Sequence, residues 1–208
     1  MEGKIVVVGI GPGHPDYLLP IAAKIIASAN VIVGGKRALE TLAPPKAWQH
    51  VIDKNIEEAM NFIARHLQQG DVVVMVSGDP GFYSLLTRIR RSYTTERVRV
   101  IPGISSLQLA FARFALPWQD AQLVSLHGRC EEEVDLTFEM NKTMGFLTDS
   151  RYRPQVIAQL LMDNGWPADA QVYLAERLSY ADEQLAQCTL QELSVRDVFA
   201  HGVMVVAG

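Results

Sequence analysis

Ile5-Val6-Val7-Val8-Gly9-Ile10-Gly11-Pro12-Gly13-His14 is the stretch that decides the fold. Four consecutive β-branched or aliphatic residues read as a strand buried on both faces, since a half-exposed strand alternates apolar with polar positions. The glycines behind it force a tight turn, and residues 18–28 then take up a helical period. Strand, glycine turn and helix in that order open an α/β unit, and the turn brings backbone N–H groups within reach of a ligand. The dinucleotide fingerprint GxGxxG does not fit, because His14 stands where the third glycine belongs and a proline is inserted. Taken alone, the segment is equally a ligand loop or a tight structural turn.

The same pattern runs outward along the chain. Val31-Ile32-Val33, Val72–Val76 and Val98–Ile101 read as further strands. A helix precedes the second of them, with Asn55 as N-cap, Glu58 three residues on, and apolar Ile56, Ala59, Met60, Ile63 and Leu67. Gly70 stops it. The character changes near residues 114–120. Beyond Pro117 come Leu123-Val124-Ser125-Leu126, Phe146-Leu147-Thr148, Val172-Tyr173-Leu174 and residues 203–206, with a helix between Pro154 and Gly165. Connections there are shorter and more hairpin-like. The expectation is two α/β domains, 1–118 and 119–208, with a mostly parallel sheet in the first, a mixed sheet in the second, and the ligand in a cleft between them.

Composition agrees with a globular protein. Of 208 residues, 49% are hydrophobic and 20% charged, enough to build a core. The net charge of −4 gives no reason to expect nucleic acid as a partner, so any anionic ligand has to be met by local basic groups. No apolar run approaches the roughly 18 residues of a membrane span, and the N-terminal apolar run reads as a strand and not as a signal peptide. Cys130 and Cys188 lack CxxC spacing and suit a reducing cytoplasm. The five histidines form no pair at ligand spacing, so no protein-bound metal is expected.

Two more loops share the placement of the first. Ser77-Gly78-Asp79-Pro80-Gly81-Phe82-Tyr83 follows an apolar strand, at the carboxyl end where open parallel sheets collect ligands. Asp79 is suited to hydrogen bonds from a ribose, an amine or backbone N–H groups, or to capping a helix. Pro102-Gly103-Ile104-Ser105-Ser106 again lies between strand and helix, its serines serving either as caps or as ligand contacts. Three such loops at three strand ends favour a shared small-molecule site.

These loops, GIGPGHPDYL, SGDPGFYS and PGISS in this order and spacing, resemble the ligand loops of the tetrapyrrole methylases. Val33-Gly34-Gly35-Lys36-Arg37, residues 112–118 (ARFALPW), Ser125-Leu126-His127-Gly128-Arg129, Leu147-Thr148-Asp149-Ser150 and Glu176-Arg177-Leu178-Ser179-Tyr180 are similar to the branch of that family that methylates C5 of cobalt-precorrin-7. The resemblance covers nearly the whole chain. It implies a cytoplasmic homodimer that holds S-adenosylmethionine between its domains, with Gly11, Pro12, Gly78, Asp79, Tyr83, Ser105, Ser106, Thr148 and Arg177 as contacts. It also implies a polycarboxylate corrin precursor as acceptor. His14 replaces the family's frequent Asp and Leu19 a frequent Thr, so no catalytic role transfers to that acidic position. With no second domain in the 208 residues, only the C5 step is expected, and a separate C15-methyltransferase/decarboxylase is the implied partner.

Methyl transfer from a sulfonium asks mainly for alignment, with His14, His127 and Tyr83 as candidates for any base. Carboxylates on the acceptor call for arginine and lysine, and Lys36, Arg37, Arg113, Arg129, Arg151 and Arg153 stand in motif or loop positions. The denser group Arg88, Arg90, Arg91, Arg97 and Arg99 reads as an exposed helix face and strand flank, and the acidic residues 131–135 as a solvated helix start. Competing readings are a methyltransferase of the same fold acting on another tetrapyrrole, RNA or protein, or a cofactor-binding module without turnover. An RNA enzyme would show a basic surface, and a non-catalytic module a broken ligand loop.

Overall fold

The computed structural model describes residues 3–126, 134–195 and 202–208. It divides into two compact units, Met1–Ser105 and Ser106–Gly208. The division falls earlier than the boundary near 118 read from the sequence. Its cause is the helix α5 (Ser106–Arg113), which buries Leu107, Leu109, Ala110 and Phe111. Leu107 and Phe111 lie against Gly145, where a β-carbon would sit 3.1 Å from each. A glycine in the second sheet lets this helix approach closely, so it belongs to that unit.

In the first unit, β1 (Ile5–Gly9), β2 (Val31–Gly34), β3 (Trp48–Val51), β4 (Val72–Val76) and β5 (Val98–Ile101) form one parallel sheet in the order β3-β2-β4-β1-β5. β1 and β4 are buried at every residue. Their alternate side chains serve two cores. Val6, Val8, Ile32, Val73 and Met75 pack with α1 (Pro20–Ala27) and α2 (Lys36–Leu42). Ile5, Val7, Val33, Val72 and Val74 pack with α3 (Ile56–His66) and α4 (Leu86–Ser92). That double coverage explains why the strands read as unbroken apolar runs. Asn55 caps α3 as expected, its side chain accepting the Glu58 N–H at 3.3 Å. β3 escapes a sequence reading because three of its four residues are exposed at the sheet edge, and β5 is the opposite edge with Arg99 and Val100 outward.

The second unit holds β6 (Gln122–Ser125), β7 (Thr143–Leu147), β8 (Gln171–Glu176), β9 (Gln184–Thr189) and β10 (Val203–Ala207) in the order β6-β7-β10-β8-β9. Only β6 and β7 pair in parallel, giving the expected mixed sheet. Helices α6 (Pro154–Asp163) and α7 (Leu190–Ser194) cover it around Phe146, Ile157, Leu161, Leu174, Leu193 and Met204. Thr189 and Glu192 close a reciprocal capping box at α7. Among the described residues no helix is long and apolar enough to cross a membrane.

Candidate functional site

The strand order creates a crevice. β1 leads through α1 to one face of the sheet, whereas its neighbour β4 leads through α4 to the other. Where adjacent parallel strands send their chains to opposite faces, the loops at their carboxyl ends part and leave room for a ligand. Here those loops are residues 10–14 and 77–83, two of the three singled out in the sequence; they touch at Gly11 and Gly78, and the open space lies to either side of that contact.

Glycine lets their backbones lock together. Gly11 and Gly78 exchange backbone hydrogen bonds, Gly78 N–H to Gly11 O at 2.9 Å and Gly11 N–H to Gly78 O at 3.4 Å. Both adopt φ values in the left-handed region, +75° and +67°. A β-carbon on Gly9 would stand 2.6 Å from Gly78 O and 2.7 Å from Gly103 N, so the third loop joins the same knot. Asp79 ties it. One carboxylate oxygen accepts the Gly81 N–H at 2.7 Å and the other the Gly103 N–H at 3.0 Å. Of the roles open to Asp79 in the sequence, the structure shows it receiving backbone N–H groups from two loops.

Two cavities open at the carboxyl edge, one on each face of the sheet. The larger, about 670 Å³, lies on the α3/α4 side and is lined by Ile52, Ile56, Tyr83, Leu85, Arg88 and Arg91 among others. The smaller, about 390 Å³, lies on the α1/α2 side and includes Gly11, His14, Leu18, Lys36, Arg37 and Leu42. Gly35, Met75 and Ser77 line both. Both volumes fall in the usual range of small-molecule sites.

The expected site residues of this unit fall around these spaces. Gly11, His14, Lys36 and Arg37 line the smaller cavity, and Tyr83 the larger. Pro12 is half-buried beside Gly11, and Ser105 is buried against Gly78, whose β-carbon would meet the Ser105 Cα at 3.5 Å. Tyr83 holds φ at 48°, a conformation that costs a non-glycine residue about 1–2 kcal/mol, with its ring edge-on to Phe82. His14 Nδ1 accepts the Asp16 N–H at 3.3 Å and caps the 3-10 turn Pro15–Tyr17. Lys36 is well exposed and 4.0 Å from Glu40.

In the second unit several expected ligand contacts already have protein partners. Arg113 grips Glu183 with two hydrogen bonds, Nε to Oε1 at 2.5 Å and Nη2 to Oε2 at 3.2 Å. Glu183 also accepts the Ser179 N–H at 2.7 Å. The Arg113 hydrogen bond, first among the causes, holds the Glu183 carboxyl below its usual value. Arg113 is therefore paired with the loop between β8 and β9. Within that loop Arg177 pairs with Asp182, which raises its pKa further, and lies over the Tyr180 ring. Arg177 and Ser179 both have positive φ, 50° and 73°. Thr148 is buried and exchanges side-chain hydrogen bonds with the Gly202 backbone at 2.8 and 3.2 Å, closing the end of β7 on β10. Ser106 begins α5, Arg151 lies over Tyr152, and Arg153 is exposed at the N-cap of α6. His127 and Arg129 lie outside the described residues.

Sequence reading missed Gly35, Met75 and Ser77 as the shared border, and it gave Arg88 and Arg91 to an exposed face. Both arginines border the larger cavity, with Arg88 held by Glu57 at 2.6 Å. Their spacing of three residues on a helix following a ligand loop was the available signal. Among the described residues no three His, Cys, Asp or Glu side chains gather as a metal site.

Comparison with known proteins agrees with this architecture. The family model of the tetrapyrrole (corrin/porphyrin) methylases matches residues 4–194. A probable cobalt-precorrin-7 C(5)-methyltransferase of Methanocaldococcus jannaschii is 30% identical over 198 residues, covering 93% of this chain and 92% of that protein. The cobalt-precorrin-7 C(5)-methyltransferase of Salmonella typhimurium is 32% identical over 184 residues, covering 87% and 88%. Among solved structures, the uroporphyrin-III C-methyltransferase of Thermus thermophilus, complexed with S-adenosyl homocysteine, aligns with a TM-score of 0.75 at 23% identity, over 98% of this chain and 92% of that one.

Proposed function

The chain belongs to the tetrapyrrole (corrin/porphyrin) methylase family and is a methyltransferase, and from that premise we propose that it transfers a methyl group from S-adenosylmethionine to C5 of cobalt-precorrin-7. The observation that carries this reading is the knot of three glycine loops at the switch point, on a chain alike over most of its length to two proteins of that name.

The loops suit a donor of this kind. Gly9, Gly78 and Gly103 bring three backbones into contact with no side chain between them. When bound, S-adenosylmethionine supplies a methyl group already made electrophilic by its sulfonium. The chain's own task is orientation, which is worth up to about 7–11 kcal/mol of barrier when the reacting atoms are aligned. Gly11, Pro12, Gly78, Tyr83 and Ser105 are assigned to the donor, Lys36 and Arg37 to acceptor carboxylates. Asp79 acts one step removed, by keeping the loops in shape.

The test is incubation with carbon-13 methyl-labelled donor and cobalt-precorrin-7, with the new methyl located by NMR and donor binding measured by calorimetry. A label on C5 is expected. A label on another carbon overturns the acceptor, and a folded protein that ignores the donor but takes up NAD overturns the methyltransferase reading of the loops.

A further inference from the structure

A corrin precursor carries carboxylates around its whole rim. Cations on one side of a site would hold one edge of such a ring and leave the opposite edge to swing, so a ring placed for chemistry at a single carbon needs charge at both ends. Lys36 and Arg37 stand on the α2 side only. We propose that the two cavities are halves of one acceptor trough that straddles the carboxyl edge of β2 and β4, with Arg88 and Arg91 receiving carboxylates at the end opposite Lys36 and Arg37. This rests on the acceptor reading above.

The border between the cavities supports a continuous trough. Gly35, Met75 and Ser77 line both spaces, at the ends of β2 and β4. Gly35 has φ −61° and ψ 150°, which any residue adopts, so the backbone does not demand glycine there. Its missing side chain leaves the crossing clear. The floor is apolar on both sides, Ile52, Ile56 and Leu85 toward α3 and α4, Ile10, Leu18 and Leu42 toward α1 and α2. Such a floor suits the faces of a macrocycle whose charges sit on its rim.

The far end carries the charge. Arg88 and Arg91 are three residues apart on α4 and share a face. Glu57 holds Arg88 from α3, an exposed pair of low cost to exchange for a ligand carboxylate. Arg91 is exposed, and among the described residues it has no ion-pair partner. A bidentate guanidinium at this end fixes the direction of the ring as well as its charge.

Binding of cobyrinic acid, a stable corrin polycarboxylate, is measured by titration of the full chain, alongside S-adenosylmethionine. Arg91→Glu and Arg37→Glu should each weaken cobyrinic acid by about tenfold or more, because a charge-assisted contact becomes a repulsion. Gly35→Phe, which fills the crossing without backbone strain, should do the same. Arg99→Glu, on the outer edge strand, should leave it unchanged, which controls for net charge. Full-strength binding by Arg91→Glu while Arg37→Glu fails confines the acceptor to the α2 side and overturns the trough. Full-strength binding by Gly35→Phe, or no binding by the wild type, overturns it as well. Failure of the parent reading looks different. Wild type that transfers no methyl to cobalt-precorrin-7, yet loses cobyrinic acid selectively in Arg91→Glu, overturns the acceptor's identity and leaves the trough standing.

Discussion

Replacing Asp79 with alanine removes the tie between the second and third loops. Two backbone donors lose a charged acceptor, Gly81 N–H at 2.7 Å and Gly103 N–H at 3.0 Å. Hydrogen bonds to charged groups contribute about 1.5–3 kcal/mol each. The Gly81 bond is exposed and its N–H regains water, so the lower end applies to it. The Gly103 bond is part-buried and counts for more. Together about 4 kcal/mol is expected, or roughly 8–16 °C in Tm at the roughly 2–4 °C per kcal/mol of a chain this size. Asp79→Asn retains one acceptor oxygen and turns an NH2 toward the second donor, so about half the loss is expected. Scanning calorimetry reads the transition of the first unit, and titration with S-adenosylmethionine on the same samples reads Kd. Binding should weaken in step with the loss of stability, because the loops lose their shape. A Tm within about 1 °C of wild type combined with a much weaker Kd would refute the tie and place Asp79 directly on the donor.

The other predictions concern packing and pH. Gly103→Ala puts a β-carbon 2.2 Å from Gly78 O and 2.9 Å from the Gly9 backbone. Neither neighbour is the end of a flexible side chain, so a loss of at least about 1–3 kcal/mol in urea unfolding is expected, and a neutral result would show the knot to be loose. For Glu183→Gln the effect depends on pH. Arg113 holds the Glu183 carboxyl below the ordinary glutamate value of 4.5, so its contribution is present above that pH and lost as pH falls through the folded value. The variant should be less stable than wild type near neutrality and converge with it in acid. A gap that stays constant from pH 7 down through the acid range would sink the ion-pair account.

Much of the fold was legible because it depends on local patterns of burial. The unbroken apolar runs of β1 and β4 announced a sheet covered on both faces. Asn55 and Glu58 marked the start of α3, and Pro154 and Gly165 bracketed α6. The three glycine loops were visible as loops. β3 was not, since an exposed edge strand such as Trp48–Val51 carries no burial period.

What stayed hidden was which groups meet. Asp79 read first as a hydrogen-bond acceptor for a ligand or for backbone N–H groups, with helix capping as the alternative, until β5 brought Gly103 beside it, 24 residues along the chain. Arg113 looked like a substrate arginine, and Glu183, 70 residues away, takes one edge of its guanidinium with both carboxylate oxygens. Arg88 and Arg91 looked like solvated charge, and the strand order turned them to the rim of a cavity. Sequence alone determined the buried strands, the principal helices and the strand-end loops, because periodicity records whether each residue faces water or a core. The edge strand β9, largely exposed like β3, read only as a polar segment. Tertiary structure alone decided the partners of the charged side chains, because a hydrogen bond needs a donor and an acceptor within about 3 Å, and only the order of the strands brings such distant residues that close.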